Sequence, residues 1–157
     1  MICTMSIRIK DIMTSPVITM RSNAKVSEAA SAMCAHNIGS LVVVDRNEKP
    51  IGIITERDMI RKVVVTSKNP KSVDVTQIMS TPLVTGEPNM GLEDSAKLMI
   101  NKEIKRLPIV DQGKIVGIVT FTDLIRAQPQ IVSTLERSIG IDQMPRRFKK
   151  LMRKTYR

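Results

Sequence analysis

The run Ile104-Lys105-Arg106-Leu107-Pro108-Ile109-Val110-Asp111, the turn Gln112-Gly113-Lys114, and the run Ile115-Val116-Gly117-Ile118-Val119-Thr120-Phe121-Thr122-Asp123-Leu124-Ile125-Arg126 decide the fold. Two short apolar runs joined by a Gly-containing turn predict a β-hairpin, and the second run feeds straight into a helix start. An earlier copy stands at Ile38 to Arg61. Working outward, Ile12-Met13-Thr14-Ser15-Pro16-Val17-Ile18-Thr19 matches Ile78-Met79-Ser80-Thr81-Pro82-Leu83-Val84-Thr85, 66 residues later, and this spacing holds through Asp45 and Asp111. After the turn it becomes 65, pairing Gly52 with Gly117, Thr55 with Thr120, Asp58 with Asp123 and Arg61 with Arg126. A hairpin turn is where a duplicated fold best absorbs a one-residue difference.

Each copy predicts strand, helix, strand, strand, helix. Pro16 and Pro82 fit the beginning of an edge strand. Val26, Ala29, Ala30 and Met33 lie at helical spacing, as do Leu92, Ser95, Ala96 and Met99. Leu41–Val44 is expected to pair with Ile51–Ile54, and Leu107–Val110 with Ile115–Val119. The closing helix starts near Glu56 or Phe121, with Met59, Ile60, Val63 and Val64 as its apolar side in the first copy. Ser67 to Ser72, polar and containing Pro70, reads as the linker. One unit of roughly 55 residues buries too little surface to be comfortable alone. The expectation is therefore an α/β (α+β) fold: two β-α-β-β-α repeats at 8–66 and 74–127 packed sheet to sheet as one pseudo-twofold module, with an extension at 128–157.

The core must be aliphatic, since there is no Trp, one Tyr and two Phe among 157 residues. That composition argues against a base-stacking surface. Cys3 and Cys34 lack metal-type spacing and suggest no disulfide framework, which fits a reducing interior. No signal-peptide core and no apolar run of about 18 residues is present, so the reading is a cytoplasmic protein without a membrane span. The net charge of +10 is uneven: residues 128–157 hold eight Lys or Arg against Glu136 and Asp142. A mildly basic body is followed by a strongly basic tail. There, Ile131, Val132, Leu135 and Ile139 form one helical stripe, and Phe148, Leu151, Met152 and Tyr156 form another among basic residues. Such a helix can pack on its own module or a dimer partner, bind an acidic protein, lie on an anionic membrane, or contact nucleic acid through residues 146–157.

Thr55-Glu56-Arg57-Asp58 and Thr120-Phe121-Thr122-Asp123 both fit the capping pattern in which Thr caps the helix and Asp reaches back to its backbone. The same geometry offers a carboxylate to ribose hydroxyls and a positive helix end to phosphate. His36, the only histidine, lacks the partners that metal binding or a catalytic triad would need. No nucleophile–base pair is evident, so neither catalytic residues nor a catalytic cofactor are expected.

The ordering, the duplication, Pro-Ile-Val-Asp at 108–111 and Gly-Ile-Val-Thr-Phe-Thr-Asp at 117–123 together resemble a tandem pair of cystathionine beta-synthase (CBS) domains, the Bateman module. The likeness covers about residues 8 to 127. It implies a regulatory, non-enzymatic module that binds an adenosine-containing ligand (AMP, ADP, ATP or S-adenosylmethionine) in clefts between repeats and often forms a homodimer. It also implies that Thr55, Asp58, Thr120 and Asp123 contact ribose and phosphate, and that the strand after Pro16 or Pro82 offers backbone groups to the base. With so few aromatics, the adenine slot would need aliphatic walls, for which Ile18, Ile38, Val84 and Ile104 are candidates alongside plain core packing. Lys105 and Arg106, aligned with Gly39 and Ser40, are candidates for phosphate, as is Arg57. Val42 stands where the second copy has Pro108, a departure from the family pattern that favours the Thr120–Asp123 cleft. Two other readings compete with the sensor. One is a nucleic-acid-binding protein using the repeats as a dimerisation scaffold, and the other is an interaction module whose Thr and Asp merely cap.

Overall fold

The computed structural model describes residues 6–155, with the backbone alone at Thr155; Cys3, Tyr156 and Arg157 lie outside the described residues. It begins with α1 (Ile9–Ile12), β1 (Thr19–Arg21), α2 (Val26–His36), β2 (Ser40–Val44), β3 (Pro50–Thr55) and α3 (Glu56–Met59), which continues as a π-helical stretch, Ile60–Val64. A 3₁₀ turn at Val75–Gln77 precedes α4 (Leu92–Asn101), β4 (Arg106–Asp111), β5 (Lys114–Thr120), α5 (Phe121–Ala127), α6 (Ile131–Ile139) and α7 (Arg146–Thr155).

Two compact units emerge, and they are not the sequence repeats. One unit holds Val17–Val84 with the Gln112–Ile115 turn; the other holds the chain up to Pro16, Thr85–Asp111 and everything from Val116 onward. The opening segment of each repeat has therefore moved to the other repeat's hairpin. Thr14 bridges Ile118 on β5, its N–H donating to the Ile118 carbonyl at 2.9 Å and its carbonyl accepting at 3.0 Å. Ser80 bridges Ile53 on β3 in the same way, at 2.8 and 3.2 Å. Neighbouring methionines explain two glycines. A Cβ on Gly52 would stand 2.5 Å from Met79 Sδ and 3.1 Å from the Ser80 carbonyl, and one on Gly117 would collide with Met13.

In the first unit β1 runs parallel to β2, and β2 pairs antiparallel with β3 from Ser40↔Thr55 to Val44↔Pro50. Val26, Ala29 and Met33 of α2 pack with Leu41, Val43, Ile54, Met59, Val63, Val75 and Ile78 into one aliphatic core. The linker and the residue after it also have a bonding role: the Pro70 and Val73 carbonyls accept the N–H groups of Ser27 and Val26, two donors that the start of α2 cannot satisfy internally.

The second unit repeats this plan with differences that trace to single residues. Leu92, Ser95, Ala96 and Met99 are all buried on α4, and the Ser95 hydroxyl is satisfied by the Gly91 carbonyl at 2.8 Å. The β4–β5 turn is Gln112-Gly113, both at positive φ (49° and 78°), the turn that matches strand twist. The expected opening strand shrinks to one parallel bridge, Gly86↔Ile109. Where Ser22 donates to the Val44 carbonyl at 3.0 Å, the aligned residue is Pro88, which has no N–H to give. Nor does either proline begin a strand, since β1 starts only at Thr19.

One further expectation needs correction. Met59 and Val63 are buried, but Ile60 and Val64 are 54% and 68% exposed. The widened turn after Met59, with Val65 donating to Ile60 and Lys68 to Val63, keeps the 59/63 side inward and swings the other two out. The tail packs on its own unit, the first of the placements open to it. Phe148 is fully buried and meets Phe121 edge-to-face, centroids 4.8 Å apart at 72°, with Ile131, Val132, Leu135 and Met152 also buried. Such a ring pair adds about 0.5–1.5 kcal/mol beyond area burial.

Gly52→Ala should lower unfolding free energy by about 1–3 kcal/mol, the usual cost of overpacking a tight core site, because the Ser80 carbonyl cannot yield as a methionine tip can. Urea denaturation checks this, and an unchanged midpoint would refute the close approach.

Candidate functional site

Thr55 ends β3 and Thr120 ends β5, each as the N-cap of the following helix. The Asp123 N–H donates to Thr120 Oγ1 at 3.2 Å, while Asp123 Oδ2 accepts from the Thr120 N–H at 2.8 Å and its hydroxyl at 2.6 Å. Asp58 and Thr55 repeat all three bonds, at 3.2, 3.0 and 2.8 Å. The first helical N–H goes to the turn preceding the hairpin: Phe121 donates to the Lys105 carbonyl at 2.9 Å, and Glu56 to the Gly39 carbonyl at 3.2 Å. Capping is therefore real in both copies, and it consumes only one oxygen of each carboxylate.

The other oxygen separates the copies. Asp58 Oδ1 pairs with Lys62 Nζ at 3.1 Å, and that ammonium also donates to the Ile78 carbonyl at 2.6 Å. Position 127, aligned with Lys62, is Ala. Asp123 Oδ1 pairs with Arg126 at 3.8 Å, an exposed guanidinium. The Asp123 side chain is 31% exposed against 16% for Asp58. One carboxylate is locked down, and the other keeps an oxygen turned outward.

The second unit brings Lys105, Arg106 and Ile104 onto the strand start beside Thr120 and Asp123, all half-buried. Its turn is held from the tail: the Arg147 guanidinium donates to both the Glu103 carbonyl and, at 2.9 Å, its carboxylate. Glu103 occupies the left-handed position (φ 53°) that Asn37 fills in the first copy. The first unit holds Thr55, Asp58, the exposed Arg57, and Ile18, Ile38, Pro82 and Val84. Ile18 and Ile38 there pack against the aliphatic core while staying partly exposed. The Lys62 lock was missed from sequence, although an i, i+4 Asp–Lys spacing on a helix signals it. In the sequence Arg147 is indistinguishable from the tail's other basic residues.

This twice-repeated arrangement is mirrored in a family model. The CBS domain model matches residues 9–65 and again 75–130. The chain belongs to the CBS-domain family. A Methanopyrus kandleri protein, MK0525, is 44% identical over 132 residues, 83% of this chain and 67% of that one. The CBS domain-containing protein YhcV of Bacillus subtilis is 43% identical over 116 residues, 74% of this chain and 81% of its own. Among solved structures, the CBS domain pair of protein MJ0100, crystallised with 5′-methylthioadenosine and S-adenosyl-L-methionine, is 34% identical with a TM-score of 0.70, covering 78% of this chain and 95% of that one. The tandem CBS pair thus accounts for the body of the chain, and α7 lies beyond it. No helix among the described residues is long and apolar enough to cross a membrane.

Thr55→Ala and Thr120→Ala should each cost about 0.5–2 kcal/mol in ligand-free protein, as lost N-caps do. Asp58→Asn should destabilise more than Asp123→Asn, because it also breaks the Lys62 pair. Parallel urea unfolding of the four variants checks both statements, and a larger loss from Asp123→Asn would contradict the geometry.

Proposed function

We propose that this CBS pair is a regulatory sensor for an adenosine-containing ligand, held principally at the Thr120–Asp123 corner. The observation that carries the reading is the unequal fate of the two aspartates. A ribose diol needs a carboxylate oxygen that no resident cation holds closely. Asp123 Oδ1 meets that need, since Arg126 stands 3.8 Å away on an exposed side chain, whereas Asp58 Oδ1 would have to give up Lys62 at 3.1 Å. Lys105 and Arg106 supply charge for phosphate or a sulfonium-side carboxylate, on a turn braced by Arg147. Ile104 in the unit of Thr120 and Asp123, and Ile18 with Ile38 in the unit of the weaker corner, offer aliphatic surface for adenine. The adenosyl ligands of the MJ0100 pair support the ligand class. Ligand binding would regulate by favouring one conformation, to the extent that its affinity for the two states differs.

The regulated assembly is a homodimer in this reading. Ile60, Val64 and Val65 leave an apolar strip exposed on one unit, while Ile125, aligned with Ile60, is fully buried in the unit that carries α6 and α7. A second copy covering the strip would remove it from water. Val64→Lys should shift the protein toward monomer in analytical ultracentrifugation; an unchanged sedimentation coefficient would remove this contact.

Titration calorimetry with AMP, ADP, ATP and S-adenosylmethionine tests the site. For the tightest ligand, Asp123→Asn should weaken binding about tenfold to a hundredfold, the worth of a hydrogen bond to a charged group. Asp58→Asn should change it little. Equal losses from both variants, or none from either, would overturn the assignment.

A further inference from the structure

The solvent face of α7 presents Arg146, Lys149, Lys150, Arg153 and Lys154 around one shallow hollow of about 490 Å³. These five differ from Arg147, which is turned inward onto Glu103. None of the five has a carboxylate partner among the described residues. Glu136 shares a neighbouring hollow with Lys149 and Arg153. Five like charges gathered on ten residues repel one another, and the helix stays docked because Phe148 and Met152 anchor it in the core.

We infer that this face is a sequence-independent binding surface for the phosphodiester backbone of nucleic acid. The docking of α7 is what narrows the choice of partner. A helix that lies on a membrane must bury its apolar side in lipid, and here that side is already occupied by Phe121 and the core of the unit. An acidic protein partner would need apolar or aromatic anchors to build an interface centre, and the five residues that line this hollow are all cations. Charge alone suffices for a phosphate backbone. Arg146 to Lys154 spans about 12 Å of helix, and a DNA duplex carries about seven phosphate charges over that length. With no aromatic side chain among the described residues that line the hollow, the surface reads backbone and not sequence.

Fluorescence anisotropy of the full chain on labelled DNA duplexes of two unrelated sequences, between about 50 and 200 mM salt, tests this. Five phosphate contacts predict log Kobs falling against log salt with a slope of about −4.5, similar for both sequences. The variant R146Q/K150Q/K154Q touches exposed side chains only, so its thermal melt should match the parent. Its slope should fall to about −1.8, and at 0.15 M salt its affinity should drop on the order of a hundredfold. K149Q/R153Q gives a second reading should the triple variant melt early. Phosphatidylserine vesicles at equal phosphate should bind more weakly than duplex. A parent slope shallower than about −2, affinity retained in both variants, or tighter capture by vesicles would overturn the inference.

Discussion

Everything else in this fold depends on two antiparallel bridges that close the outer edges of β3 and β5. Without Ser80 on Ile53 and Thr14 on Ile118, each hairpin would present unpaired N–H and C=O groups beside a buried face. Without glycine at 52 and 117, methionine and backbone could not come near enough to make those bonds. The consequence runs up the strand, because β3 and β5 end at the threonines that cap α3 and α5. Fixing the strand edge fixes where the cap, the carboxylate and the preceding turn meet.

Duplication, the hairpin strands and the buried faces of α2 and α4 were legible because they rest on local patterning. Pairing Gly52 with Gly117 and Thr55 with Thr120 needed only alignment of the chain with itself. The exchange of opening segments was not legible, since Ile12-Met13 and Ile78-Met79 carry the same pattern whichever hairpin they cover. The lost opening strand of the second copy came down to Pro88 standing where Ser22 donates, a single missing N–H within an otherwise parallel sequence. Ile60 and Val64 misled because a period of 3.6 was assumed through a stretch that widens to a π turn.

At the site, the sequence pointed to Thr120 and Asp123 through a pattern that equally describes a helix cap, and the structure shows the cap fully formed in both copies. What distinguishes the copies is one i, i+4 neighbour. Lys62 neutralises Asp58 from within its own helix, and Ala127 leaves Asp123 without that partner. The basic residues of the preceding turn then matter because they stand beside the less encumbered carboxylate. An asymmetry first located in Lys105 and Arg106 thus has a second, independent component on the opposite side of the threonine.

The tail changes from appendage to structural member once Phe148 is placed against Phe121. Removing residues beyond Gly140 would uncover the first residue of α5, next to Thr120, so truncation would disturb cap and tail together. Substituting exposed charges separates the two, because the residues that dock α7 (Phe148, Met152, Arg147) are not those that face solvent. Arg147 adds a consequence of its own. Through Glu103 it ties α7 to the turn that carries Lys105 and Arg106, so a polyanion held on the outer face of α7 would bear on the same helix that braces the candidate ligand corner. Any coupling between the two must run through how firmly α7 is docked, and it would be reciprocal, each ligand changing the other's affinity by the same factor.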